Sequence, residues 1–147
     1  MSNDTNKALV LASIDEGWNT QRLSIFDELF APDLVDHSVP RDLPATRDGT
    51  KTHAARYWSA FPDLRITIDD QIAEADKVVT RWTAHGTHTG RLMGVPPTGK
   101  SVIVTGIRVD RVFGGRIVET WAEFDQLGML LQLGVASALT PSAPAVG

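Results

Sequence analysis

The segment most able to carry chemistry is residues 117–125, Ile-Val-Glu-Thr-Trp-Ala-Glu-Phe-Asp. As a β-strand it puts Glu119, Trp121, Glu123 and Asp125 on one face, because successive side chains point to opposite faces of a sheet. If that face borders a cavity, burial favours a neutral Asp125 and suits it to general acid–base catalysis. If the alternate positions form the core, the carboxylates lie in solvent. The spacing leaves both orientations open, although a lone tryptophan among acids is unusual on a surface.

Histidines and tryptophans supply the other candidate site residues. Strand parity groups Trp82 with His88, so both could line a pocket, and His37 lies in a short extended segment. Each of these histidines could equally be a hydrogen-bonded structural residue, since histidine is intermediate in burial. Trp18 and Trp58 fall on helix faces that could be either core or pocket wall.

Several classes of site are disfavoured by composition. The sequence has no cysteine, no Gly-x-Ser-x-Gly motif and no glycine-rich phosphate loop. His85 and His88 are three residues apart on a predicted strand, so they point to opposite faces and do not form a metal site. His53, on a charged helix start, is expected to be solvated. We therefore predict no metal site.

Charge and hydropathy indicate which classes of partner the protein does not bind. The net charge is −4 and the 14 Lys and Arg residues are scattered, which argues against nucleic acid. No stretch of 18 apolar residues and no signal-peptide pattern is present. The absence of cysteine suits a reducing compartment. We expect a soluble, cytoplasmic protein with no membrane partner.

The elements that must position these residues form one domain, as 147 residues predict. Apolar residues recur at helical spacing in the first 61 residues, and the period changes to two after Pro62. Gly114-Gly115 predicts a β-hairpin, and residues 126–133 a last helix. The expected strands are 65–72, 77–89, 101–113 and 116–125, with a short extended piece at 34–38. This order predicts an α+β domain over residues 1–134, with helices on one face of a curved sheet, and a Pro/Ala-rich tail over 135–147.

Five short motifs, in order over about residues 8–134, resemble the SnoaL-like polyketide cyclases. They are Phe61-Pro-Asp-Leu64, Gly86-Thr-His88 with Gly90, Gly94-Val-Pro-Pro-Thr-Gly-Lys100, Glu119-x-Trp121-x-x-x-Asp125 and Gln132-Leu-Gly134. The resemblance implies a nuclear-transport-factor-2-like cone: a strongly curved antiparallel sheet, with three N-terminal helices enclosing a pocket. It also implies a homodimer formed through the outer face of the sheet.

The resemblance also implies a reaction. It is an intramolecular aldol condensation, a lyase or isomerase chemistry of antibiotic biosynthesis, on a hydrophobic, carbonyl-rich polyketide and without a metal or organic cofactor. Asp125 matches the family's acid–base residue, with His37 and His88 as hydrogen-bond donors to substrate oxygens. Substrate rings would stack on Trp18, Trp58, Trp82 and Trp121. Relatives with hydroxylase or hydrolase activity, or with binding alone, keep those alternatives open.

Overall fold

The computed structural model describes residues 2–135, in which most of the helices precede the four long strands. The elements in chain order are α1 (Asn3–Ala12), α2 (Leu23–Leu29), β1 (Phe30–Asp36), α3 (Arg47–Ala60), β2 (Arg65–Glu74), β3 (Lys77–Thr87), β4 (Ser101–Phe113), β5 (Arg116–Phe124) and α4 (Gln126–Leu133). No helix among residues 2–135 has the length and apolar character needed to cross a bilayer. The predicted tail, apart from Val135, lies outside the described residues.

Side-chain caps set where two of the helices begin. Ser2 precedes α1 and its Oγ accepts a hydrogen bond from the Thr5 amide at 3.0 Å. Thr46 precedes α3, and its Oγ1 accepts from the Gly49 amide at 3.3 Å. Such bonds satisfy backbone N–H groups that have no partner within the helix. After α1 the chain continues as a π-helical segment over Ser13–Trp18, which carries Trp18 toward α3.

Within the described part of the chain, five strands lie in the order β1-β5-β4-β3-β2. The predicted meander from β2 to β5 is confirmed as antiparallel, with Gly114 and Gly115 as the two-residue turn between β4 and β5. β1 differs from the expected antiparallel pattern because it pairs in parallel with β5. It also starts at Phe30, earlier than the expected extended segment. Its position at the sheet edge tolerates Pro32, which has no amide to donate.

The fold class predicted from the sequence, α+β with helices on a curved sheet, is confirmed. Breaks in register in β2 and between β4 and β5 disrupt the regular pairing, as β-bulges do, and favour bending. Alternate residues of β4 face inward, among them Val102, Val104 and Val112, which are buried. One apolar cluster joins α1, α2 and α3 to the sheet around Phe26. Another joins α4 to β4 around Phe61.

Candidate functional site

A largely apolar cavity of about 140 Å³ lies between the helices and the inner face of the sheet. That volume far exceeds the space of a single water molecule. The apolar part of its wall consists of Ile14, Trp18, Phe30, Phe61, Leu64, Ile66, Trp82, Ala84, Val102, Val104, Ala122, Phe124 and Met129. A concave, mostly apolar site with a few polar groups is the usual form of a small-molecule site.

Strand β5 presents Thr120, Ala122 and Phe124 to this cavity. Of the two orientations that the spacing left open, the structure therefore has the one in which the alternate positions face inward. Glu119 and Trp121 lie on the outer face. Trp121 stacks there on the His37 ring, with centroids 5.0 Å apart and an interplanar angle of 9°. Lys77 Nζ also lies 6.0 Å from the Trp121 ring centroid. These two neighbours account for a tryptophan that shares the outer face of β5 with Glu119 and Glu123.

Asp125 is the N-cap of α4. Its Oδ1 accepts a hydrogen bond from the Gly128 amide at 2.9 Å, and the residue is exposed. Asp125 does not belong to the wall that residues 2–135 form around the cavity. The catalytic role that the resemblance implies for Asp125 stays a prediction, and the contact seen here is one that stabilises a helix end.

The two candidate histidines occupy different places, neither in the cavity wall. His37 Nε2 lies 2.7 Å from a Glu119 carboxylate oxygen on the outer face. His88 is fully buried, and its Nδ1 accepts from the Thr98 amide at 3.2 Å. Its Nε2 has no hydrogen-bond partner among residues 2–135 and its ring lies against Phe61. The structure thus does not bring His37, His88 and Asp125 together.

The four tryptophans divide into two groups. Trp18 and Trp82 line the cavity. Trp58 packs in the core, and its indole Nε1 donates a 3.0 Å hydrogen bond to the Trp18 carbonyl oxygen. Trp58 therefore supports the cavity wall through Trp18, while Trp121 lies on the far side of the sheet.

The polar part of the cavity wall contains residues that the sequence analysis did not select. Asp36, at the end of β1, is only 2% exposed. Its carboxylate accepts hydrogen bonds from the Ser38 amide at 2.8 Å and from the hydroxyls of Ser38 and Thr50, both at 2.5 Å. Burial of a carboxyl group is costly unless such donors surround it. Asp36, Ser38 and Thr50 all line the cavity.

Helix α3 contributes His53 and Tyr57, one turn apart, to the same wall. His53 is half-buried, contrary to the expectation that it is solvated. Burial lowers the pKa of His53, while the charge of Asp36 acts in the opposite direction. Burial likewise raises the pKa of Tyr57 to about 12, so its phenol is neutral at pH 7. A neutral imidazole can accept a proton, and a neutral phenol can donate a hydrogen bond.

The rest of the polar wall includes His85 and an ion pair. Arg108 of β4, 8% exposed, lines the cavity, and Asp110 of the same strand is fully buried behind it. Arg108 Nε lies 2.7 Å from one Asp110 carboxylate oxygen and Nη2 lies 2.9 Å from the other. Within the described residues, no three His, Cys, Asp or Glu side chains form a group that could hold a metal ion.

Solved structures share this arrangement of curved sheet and helices, which is a nuclear-transport-factor-2-like fold. TsrD from Streptomyces laurentii is 25% identical, with a TM-score of 0.84 over 92% of this chain and 99% of its own. IdmH from Streptomyces antibioticus, a candidate polyketide cyclase, is 36% identical, with a TM-score of 0.78 over 88% and 99%. AclR from Streptomyces galilaeus, a candidate hydroxylase, is 32% identical, with a TM-score of 0.82 over 92% and 100%.

The chain belongs to the SnoaL-like polyketide cyclase family, whose model matches residues 8–133. Among curated proteins, none matches the chain in sequence. The resemblance read from the five motifs is thereby confirmed. The family and these neighbours together support a polyketide-tailoring enzyme.

Proposed function

We propose that the protein catalyses intramolecular aldol ring closure of a hydrophobic, carbonyl-rich polyketide. The observation that supports this is the cavity itself, in which an apolar wall suited to planar rings meets His53 and Asp36 at a polar end. Trp18 and Trp82 give that wall two aromatic faces. Ring closure by this route needs proton transfers and no electron transfer, so the proposal includes no organic cofactor.

The reaction requires a base, a donor to oxygen and a fixed geometry. A base removes a proton from a carbon flanked by carbonyl groups, and the resulting enolate carbon bonds to a second carbonyl carbon of the same molecule. The alkoxide formed there takes up a proton, so substrate and product have equal mass. His53, whose pKa burial lowers, is neutral at pH 7 and can accept the first proton. Enclosure by the cavity holds the two reacting carbons together.

Two assignments of the acid–base group compete, because the resemblance implies Asp125 whereas the cavity contains His53 and Asp36. A carboxylate that abstracts a proton must lie within hydrogen-bond reach of the substrate, directly or through one water. Asp125 accepts from the Gly128 amide at the start of α4, and Asp36 and His53 border the enclosed space. We therefore assign the proton transfers to His53 and Asp36.

The test incubates the wild type and the variants His53→Gln, Asp36→Asn and Asp125→Asn with an enolisable aromatic poly-β-ketone methyl ester. Liquid chromatography separates the cyclised isomer from the substrate, and mass spectrometry gives the mass of each. Our assignment predicts a product of unchanged mass and a loss of about 10²–10⁴ in kcat for His53→Gln. A loss of that size in Asp125→Asn with full activity in His53→Gln would transfer the role to Asp125. Thermal unfolding of each variant shows whether a lost activity reflects a lost fold.

Hydroxylation is the second candidate, favoured by the 32% identity to AclR. The same mass measurement separates the two reactions, because hydroxylation adds one oxygen atom to the product. An Asp36 and His53 pair could also position a water for hydrolysis, which would add the mass of water. Binding of these esters with no new chromatographic peak, whether of equal or of higher mass, would mean that the protein binds the molecule without converting it.

We also propose that two copies of the chain associate through the outer face of the sheet. We propose the cytoplasm as the location, because a chain without cysteine suits a reducing compartment. Val79 of β3 and Ile103 and Ile107 of β4 are exposed on that face. Ile107→Lys should convert a dimer to a monomer in size-exclusion chromatography with light scattering, because it places a charge in the apolar contact. A wild-type mass of one chain would contradict the dimer.

A further inference from the structure

We propose that the Arg108 guanidinium binds an uncharged acceptor oxygen of the ligand, a ketone or quinone oxygen, inside the cavity. This inference rests on the proposed function in one respect, that the cavity takes a carbonyl-rich aromatic molecule. It adds the group that recognises the oxygen and the reason that the group is in place before the ligand arrives.

The hydrogen bonds of Arg108 leave one of its amino groups available. Asp110 takes the Nε and Nη2 donors in a two-point contact of 2.7 and 2.9 Å. Nη1 has no hydrogen-bond partner among residues 2–135 of the chain. Because Arg108 lines the cavity and is 8% exposed, Nη1 can donate a hydrogen bond to a ligand that enters the cavity.

The position of the pair argues against a purely structural role. Asp110 is fully buried on the inner face of β4 and Arg108 is 8% exposed, so both charges have little contact with bulk water. Removing two charges from water has a large free-energy cost, and apolar residues of similar volume often serve stability equally well. A buried pair that borders an apolar cavity is therefore better explained by what enters the cavity. The two-point contact also fixes the plane of the guanidinium, so that binding requires little reorientation.

The charges in the cavity define the class of ligand group. Asp110 already balances the Arg108 charge, and the Asp36 carboxyl borders the same space. A ligand carboxylate would therefore meet a site with no spare positive charge. A carbonyl oxygen can accept from Nη1 without that penalty, and the contact strengthens as the oxygen becomes an enolate or alkoxide oxygen.

The experiment compares two planar probes of nearly the same shape by isothermal titration calorimetry. 2-Acetylnaphthalene carries a ketone, and 2-isopropenylnaphthalene carries a methylene group at the same place. The variant Arg108→Met/Asp110→Leu replaces the ion pair by apolar residues without leaving an unpaired buried carboxylate. Arg108→Lys, which keeps a cation but not the planar fork, is a second variant in case the first does not fold.

Arg111→Met is the matched control. Arg111 lies three residues further along β4 on the outer face, where it pairs with Glu119 at 3.1 Å. We expect the ratio of the two Kd values to favour the ketone in the wild type and in Arg111→Met. In Arg108→Met/Asp110→Leu that preference should fall by about tenfold, the effect of one hydrogen bond to a charged group. Arg108→Lys should also reduce it.

Two results would overturn the inference, and they differ in what else they overturn. If both probes bind and the preference for the ketone is the same in wild type and in every folded Arg108 variant, Arg108 does not contact the oxygen and the proposed cavity site stands. If neither probe binds the wild type, both the inference and the proposed aromatic-binding cavity are wrong.

Discussion

His37 and Trp121 stack face to face on the outer side of the sheet, with ring centroids 5.0 Å apart. The contact joins the end of β1 to β5, and Glu119 fixes the imidazole from the same strand through a 2.7 Å contact. His37 and Trp121, for which the resemblance implies substrate contacts, are thus in contact with each other. The side of the sheet that faces the cavity is the other one, where Thr120 and Phe124 lie.

The four tryptophan indole groups should distinguish the cavity side of the sheet from its outer side in a ligand titration. On titration with 2-acetylnaphthalene, the indole N–H resonances of Trp18 and Trp82 should shift in a two-dimensional nitrogen–proton spectrum, because both rings line the cavity. The Trp121 resonance should stay in place. Trp82→Phe and Trp121→Phe assign the signals. A large shift confined to Trp121 would mean that ligand binds on the outer face.

Lowering the pH should decrease the stability of the fold, because His53 takes up a proton. Burial lowers the pKa of His53 below 6.5, so the unfolded chain takes up a proton more readily than the folded protein. The free energy of unfolding therefore decreases as the pH falls from 6.5 toward the lowered pKa. The Glu119 carboxyl, whose pKa is held below 4.5 chiefly by the His37 hydrogen bond, titrates at lower pH.

Urea unfolding at pH 7.5 and 5.5 measures that decrease. His53→Gln cannot take up the proton and should show a smaller difference between the two pH values than the wild type. His85→Gln, which alters an exposed histidine, is the control and should keep the wild-type difference. An unchanged difference in His53→Gln would show that the His53 imidazole is not the group responsible.

The cap at Asp125 has a measurable contribution to stability. Asp125→Ala removes the acceptor for the Gly128 amide and should lower the free energy of unfolding by about 1 kcal/mol. Asp125→Asn should lose less, because asparagine is also a good N-cap. Glu123→Ala, at an exposed position of β5, should have little effect. Equal stability of Asp125→Ala and wild type in urea unfolding would contradict a capping role.

Gly106 sets the position of Trp82. A Cβ atom at residue 106 would lie 2.2 Å from Cζ2 of the Trp82 ring, so any side chain there must displace the indole. Gly106→Ala should cost about 1–3 kcal/mol of stability and weaken binding of 2-acetylnaphthalene, because the ring moves within the cavity wall. Thr105→Ala, on the outer face, is the control. Wild-type affinity in a folded Gly106→Ala protein would show that the cavity adjusts.

The sequence predicts the bounds of helices and strands better than it predicts which residues line the cavity. β4 and α4 have the predicted bounds, because strict alternation and the Gly114-Gly115 turn are strong local signals. The inner face was harder to identify, since Ile107 and Val109 of β4 point outward while Arg108 and Asp110 point inward. Polar residues at inner positions reverse the usual pattern, and only the tertiary pairing of β4 with its neighbours reveals it.

Parallel pairing of β1 with β5 has a consequence for the order of folding during synthesis. Phe30 pairs with Ile117 and Asp36 with Thr120, so the cavity wall at Asp36 is incomplete until β5 has left the ribosome. The nascent chain must therefore keep the apolar residues of α2 and β1 away from other chains while some eighty residues are added. Contacts so distant in sequence slow folding. A chain stalled after β4 should expose this edge and recruit chaperones, whereas one released after α4 should not.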